Sequence, residues 1–187
     1  MQNHSDQKLI DAYLKGNEES LEILISRYLK PIYSFVYRYV GDSQEAEDIT
    51  QQVFIKVWWN LKKFDQQKSF KPWIFAIAKN TSIDLLKRKK EVPFSKFENA
   101  AGINILTESL VDPADLPDKL FEQKDIARML YSAMENLSVQ YRMVLFLRYN
   151  DHFTFREISE SLEEPLHTVK SRHRRALIQL KNLLTEI

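Results

Sequence analysis

Residues 91–118, EVPFSKFENAAGINILTESLVDPADLPD, hold three prolines, one glycine and six acids against a single lysine. Proline removes a backbone donor and restricts the residue before it. No apolar period runs through the stretch, so it reads as a linker. That break is the strongest constraint on the fold, because the chain must bury its apolar side chains in two places. On both sides of it, apolar residues recur at spacings of three and four rather than alternating, the pattern of helices with one buried stripe. Only three of the 187 residues are glycine. The expectation is an all-α protein: two small helical domains, residues 1–92 and 118–187, joined by an irregular acidic linker at 93–117.

Before the linker the periodic segments are 6–15, 18–39, 43–61 and 72–89. Pro31 predicts a kink or break inside the second. Pro72 suits the first turn of the fourth, which is apolar nearly all round and so is expected at the centre of a bundle. After the linker the segments are 119–136, 138–149, 154–162 and 166–184. A hydrophobic content of 44% suffices for two packed cores. The absence of cysteine excludes disulfides, thiolate metal sites and a cysteine nucleophile. No phosphate-cradling glycine loop or metal-ligand cluster is present, and four scattered histidines give no triad. No catalytic residue, metal site or cofactor is therefore assigned, and an enzyme is the least supported reading. No stretch has the character of a signal peptide or membrane span, so the expected location is cytoplasmic, without direct membrane insertion.

FREISESL and LHTVKSRHRRALIQLKNLL, separated by Glu163-Glu164-Pro165, have the outline of a helix-turn-helix. Residues 167–176 carry four lysines and arginines, whereas the whole chain nets only +1. On a wheel of 100° per residue, Val169, Ala176, Leu180 and Leu183 share one side, with His173 and Leu184 beside them. Lys170, Ser171, Arg174, Arg175 and Ile178 share the other. That second side suits a major groove, since arginine and lysine bond guanine edges or phosphates, and Thr168 near the helix start suits a phosphate. A solvated basic face on an ordinary helix fits the same residues, and on this motif alone both readings stand. His173, on the apolar side, reads as a boundary histidine rather than a ligand.

AEDITQQVFIKVWWNL, residues 46–61, has an inward stripe of Ala46, Ile49, Val53, Val57 and Leu61. Its other face carries Asp48, Gln51, Gln52, Ile55 and Trp59, a mixture of amides, one acid and large apolar groups that resembles an interface core. Packing of Ile55 and Trp59 beneath a neighbouring helix is the equally weighted alternative. The acids at Glu45, Glu47 and Asp48 fit the charge preference of a helix N-terminus. In FDQQKSFKPWIFAIAKNTSIDLLKRKK, residues 64–90, Phe64, Phe70 and Trp73 alternate with Lys68 and Lys71, a set able to stack unpaired bases and hold phosphates. An aromatic core with a lysine-rich helix end accounts for each residue singly.

Taken in this order, the three motifs resemble the extracytoplasmic-function (ECF) RNA polymerase sigma factors, members of the sigma-70 superfamily, from about Leu9 to Leu184. AEDITQQVFIKVW is similar to the family's helix that binds the clamp helices of the polymerase β′ subunit, which places core-polymerase contacts at Asp48, Gln51, Gln52, Ile55 and Trp58. FKPWIFAIAKNTSIDLLKRKK is similar to the helix after the loop that opens and reads the −10 promoter element; residues 62–70 match that loop. The resemblance implies −10 contacts from Phe64, Lys68, Phe70, Lys71, Asn80, Asp84, Lys87 and Arg88, with Lys79 where the family usually has arginine. TFREISESL with TVKSRHRRALIQL is similar to the domain that reads the −35 element, implying contacts from Thr168, Lys170, Ser171, Arg174 and Arg175. The turn Glu163-Glu164-Pro165, and the histidines at 167 and 173, depart from the family pattern.

The implied function is a sigma factor that binds core RNA polymerase, reads −35 and −10 elements and assists promoter melting. Its implied partners are core polymerase (the β′ clamp helices and the β flap), promoter DNA and an anti-sigma factor able to hold it at the membrane. A near-neutral charge fits this reading, because non-specific DNA affinity grows with the number of phosphates neutralised and polymerase would supply most of the grip. An operator-binding regulator with residues 1–92 as a dimerisation or sensor domain is the rival, and it predicts DNA binding without polymerase.

Overall fold

A computed structural model of the chain describes residues 4–90, 129–130 and 132–185. The expected linker and most of the expected helix 119–136 lie outside the described residues. Those residues contain helices and turns and no strand. The chain divides into two compact units. The first is built on α1 (Asp6–Leu14), α2 (Glu18–Val40), α3 (Ser43–Asn60) and α4 (Phe70–Lys90); the second on α5 (Val139–Tyr149), the start of α6 (Phe155–Leu162) and α7 (Leu166–Thr185).

Helix ends in the first unit follow from local chemistry. Ser5, Asn17 and Asp42 each cap a helix by accepting a backbone N–H three residues on, satisfying a donor that the helix itself leaves orphaned. Gly41 ends α2 with φ 76° and donates its N–H to the Tyr37 carbonyl, a left-handed conformation that a side chain would resist. Pro31 does not break α2, which runs unbroken from Glu18 to Val40. Leu24, Tyr28, Ile32, Phe35 and Val36 are buried on both sides of it, and packing of that stripe outweighs a proline penalty of about 3 kcal/mol. α4 begins at Phe70, two residues before the expected start. Pro72 still falls in its first turn, where no intrahelical partner for its missing N–H exists.

α2, rather than α4, is the hub of this unit: it packs against α1, α3 and α4, and α3 also packs against α4. The stripe expected for α3 is the one buried, with Ala46, Ile49, Val53, Val57 and Leu61 all inside. Phe35 meets Phe75 edge-on at 5.0 Å between centroids, joining α2 to α4.

In the second unit, Met134, Leu137, Leu145 and Ala176 form a buried cluster flanked by Tyr141, Phe146, Leu180 and Leu183. α6 opens with a reciprocal cap. The Thr154 hydroxyl accepts the Glu157 N–H at 3.2 Å, and the Glu157 carboxylate accepts the Thr154 N–H at 2.7 Å. It closes at Glu163, whose φ of 51° is left-handed. There the Glu163 N–H donates to the Glu160 carbonyl and the Glu164 N–H to that of Ser159, a paired closure that satisfies two orphan acceptors. The turn is three residues long, and α7 starts at Leu166 as Pro165 dictates.

Candidate functional site

Three surfaces carry the residues singled out from the sequence. The first is the outer face of α3. Asp48, Gln51 and Gln52 are exposed, and Ile55, Trp58 and Trp59 are exposed with them, Trp58 at 52% and Trp59 at 68%. The alternative that Ile55 and Trp59 pack under a neighbouring helix is therefore not what the fold does. The Trp58 indole donates to the Tyr13 hydroxyl on α1 at 3.0 Å, so its ring is oriented while its face stays open. Large apolar groups beside amides and a single acid, on a rigid helix, are suited to a protein partner.

The second surface is the loop before α4. After the short 3₁₀ turn Leu61–Lys63, the chain buries Phe64, exposes residues 65–69 and buries Phe70. Phe64 is 8% exposed and Phe70 3%; their rings meet edge-on at 5.8 Å, and both touch the half-buried Trp73. This corrects the expectation for two residues. Phe64 and Phe70 are turned inward, edge-on to each other and in contact with Trp73, so neither ring presents an open face for a base. The exposed loop residues are Asp65, Gln66, Gln67, Lys68 and Ser69. Asp65 shapes the loop twice, its carboxylate accepting the Gln67 N–H at 3.0 Å and its carbonyl the Lys68 N–H at 2.9 Å. The two glutamines are functional candidates that the sequence motifs did not single out; their amides offer both donors and acceptors to a base edge.

Along α4, Asn80, Asp84, Lys87 and Arg88 are exposed in one stripe, at helical spacings of four, three and one. Lys71 is half-buried and lies half a turn round from Asn80 on a wheel of about 100° per residue, so it belongs with the loop. Lys56, on α3, was missed. Its side chain crosses to α4 and donates to the Thr81 hydroxyl at 2.9 Å, placing a half-buried cation beside the stripe. A lysine in a mixed apolar-amide helix gives no sequence signal for such a crossing.

The third surface is α7. Val169 and Ala176 are buried, Leu180, Leu183 and Leu184 half-buried, and Lys170, Ser171, Arg174 and Arg175 exposed. Thr168 is half-buried. His173 lies between these faces, with its Nε2 3.1 Å from the Tyr149 hydroxyl and its ring edge-on to Phe155 at 5.0 Å. Burial, and secondarily the positive charge of Arg148, hold its pKa below the ordinary imidazole value. The Arg148 guanidinium itself sits over the Phe155 ring at 5.0 Å. His173 is thus a boundary residue that braces α7 against α5 and α6.

Comparison with known proteins gives the chain its family. Residues 24–92 match the family model of sigma-70 region 2, and residues 124–180 that of sigma-70 region 4. The chain is 30% identical over 183 residues to the ECF RNA polymerase sigma factor SigW of Bacillus subtilis, covering 97% of each protein. It is 28% identical over 179 residues to the ECF RNA polymerase sigma-E factor of Escherichia coli K12, covering 95% of this chain and 93% of that protein. Its fold is similar to that of the sigma factor RpoE of Bartonella quintana, solved in complex with the anti-sigma factor NepR (TM-score 0.67, 22% identity, 88% of this chain and 96% of that one). The chain belongs to the ECF RNA polymerase sigma factors.

Among the described residues no helix is long and apolar enough to cross a membrane, and no group of three or more histidines or acids could hold a metal ion.

Proposed function

We propose that the three surfaces divide the work of an ECF sigma factor among them. The chain binds core RNA polymerase and directs promoter-specific initiation. The outer face of α3, with Asp48, Gln51, Gln52, Ile55, Trp58 and Trp59, docks on the polymerase; the clamp helices of β′ are its partner. The loop 62–70, with Gln66, Gln67 and Lys68, captures bases of one −10 strand, while Lys71, Asn80, Asp84, Lys87 and Arg88 lie along the neighbouring duplex. α7 enters the −35 major groove with Lys170, Ser171, Arg174 and Arg175.

In this reading the chain does no covalent chemistry. Capturing flipped bases shifts the duplex equilibrium, at a cost of a few kcal/mol per unstacked base, and each good groove contact at −35 returns about 1–3 kcal/mol of discrimination. The division into residues 1–92, 93–117 and 118–187 then has a purpose. A tether lets one contact raise the effective concentration of the next, so neither unit needs strong DNA affinity alone. That accounts for a net charge of only +1. An anti-sigma factor covering the polymerase-binding faces would hold the chain inactive, and at the membrane if that partner is anchored there.

The observation that carries the reading is the openness of Ile55, Trp58 and Trp59 beside Asp48, Gln51 and Gln52 on one rigid helix. The test is binding of the full chain to bacterial core polymerase beside an Asp48→Ala/Gln51→Ala/Gln52→Ala variant. Tight binding by the parent and a loss of about a hundredfold in the variant is expected, from three interface truncations. Equal binding by both moves the docking site elsewhere, and DNA binding by the parent without polymerase restores the operator-binding rival.

A further inference from the structure

We infer that the N-terminal helix α1 is a positioning element for the base-reading loop, acting through the carboxylate of Asp6. The inference rests on the assignment of residues 62–70 to strand capture. The region 2 match begins at residue 24, so α1 lies before it, and helical periodicity alone gave α1 no role. Its contacts do.

Asp6 Oδ1 accepts from the Arg27 guanidinium and Oδ2 from the Tyr28 hydroxyl, and a second Arg27 nitrogen donates to the His4 carbonyl at 2.7 Å. One partly buried carboxylate thus fixes the start of α1 to the middle of α2 by charge-assisted bonds, the stronger kind. Tyr28 carries this outward. Its buried ring meets Phe70 edge-on at 5.3 Å, and Phe70 in turn contacts Phe64 and Trp73. Asp6 is therefore one side chain removed from the aromatic floor on which the exposed residues 65–69 stand. The next residue touches the loop directly, the Gln7 amide donating to Gln66 Oε1 at 3.3 Å.

A five-residue exposed loop loses conformational freedom when it closes on a base. Fixing the floor beneath it in advance lowers what remains to be lost, which is how preorganisation raises affinity. The tyrosine hydroxyl adds nothing to the aromatic stacking of its own ring, so its pairing with Asp6 acts on orientation. That separates positioning from packing: Tyr28→Phe keeps the ring and removes the link to Asp6.

The test uses the full chain bound to core polymerase and a single-stranded DNA decamer, selected from a random pool on the parent complex. Tyr28→Phe and Asp6→Ala should each weaken capture of that decamer about tenfold, as loss of a charged hydrogen bond predicts, with core-polymerase affinity within about twofold of the parent. Amide hydrogen exchange at Gln67 and Lys68 should rise in both, and Asp6→Asn, which keeps one acceptor oxygen but loses the charge and the second acceptor, should recover only part of the loss. Parental capture by Asp6→Ala and Tyr28→Phe, with Lys68→Ala weakened, overturns the role of α1 and leaves the loop assignment standing. Parental capture by Lys68→Ala and by Gln66→Ala/Gln67→Ala overturns the loop assignment itself, and with it this inference. A matching loss of polymerase affinity in Asp6→Ala and Tyr28→Phe would make the network general scaffolding, and would also overturn it.

Discussion

α3 and α7 are built alike on the inside and differently on the outside. Each buries a stripe of small and branched apolar residues, Ala46, Ile49, Val53 and Val57 on one and Val169 and Ala176 on the other. Outward, α3 presents an acid, two amides and the apolar Ile55, Trp58 and Trp59, while α7 presents Lys170, Ser171, Arg174 and Arg175. The inner stripes make both helices and dock them. In the proposed reading the outer chemistry selects the partner, a desolvated protein face for α3 and a charged groove for α7. Binding strength should respond accordingly, with contacts through α3 insensitive to salt and contacts through α7 governed by it.

The sharpest way to break this comparison is with one residue type on two faces of one helix. Ile49→Ala should cost about 2–5 kcal/mol of stability in urea unfolding, as a fully buried truncation does. Ile55→Ala should cost no more than about 0.5 kcal/mol yet weaken polymerase binding about tenfold. Equal stability losses would mean that the outer face is also core. Next, Arg174→Ala should lower affinity for a −35 duplex in the polymerase complex by about 1–3 kcal/mol and make the salt dependence shallower by about one unit if it also contacts phosphate. Its binding to core polymerase should be unchanged, measured by the same titration without DNA.

Smaller effects should come from the parts that hold α7 in place. His152 sits exposed with φ 55° in the turn before α6. Glycine takes that conformation without the steric cost, so His152→Gly should stabilise the C-terminal unit by about 0.5–1 kcal/mol, net of the added freedom of the unfolded chain, without altering DNA preference. The smallest is a pH effect from His173. Its folded-state pKa is lowered, by burial first and Arg148 second, so the folded state binds a proton less readily than the unfolded one. Its contribution is full above about pH 6.5 and is lost as pH falls through the folded value. The urea midpoint of the parent should fall between about pH 7 and pH 5, and His173→Leu, which keeps the apolar contact with Phe155, should flatten that slope.

What was legible in the sequence follows the same inside–outside divide. The stripe of α3 and the bounds of α6 and α7 could be read because a 3.6-residue period and Pro165 are local signals. The all-α class followed from them. The aromatic residues around the loop were harder. Phe64 and Phe70 flank polar residues and lysine, and that pattern is the same whether rings stack on bases or on each other; only the depth of the pocket beneath them decides. Pro31 left a kink or a break equally open because propensity is local, whereas the stripe that carries the helix through it is tertiary. The Asp6–Arg27–Tyr28 network was invisible for another reason. An acid in a first helical turn already has a sufficient local explanation, and partners 21 and 22 residues away leave no periodic trace.

The closure of the loop by two buried rings has a consequence for how such proteins diverge. With Phe64 and Phe70 fixing its ends inside the core, residues 66–68 can be exchanged without disturbing either the helix before or the helix after. Stability and preference are then inherited separately. On the proposed assignment of this loop to the −10 element, a duplicated copy of this chain could acquire a new −10 sequence by drift in three exposed positions, keeping its polymerase and its fold.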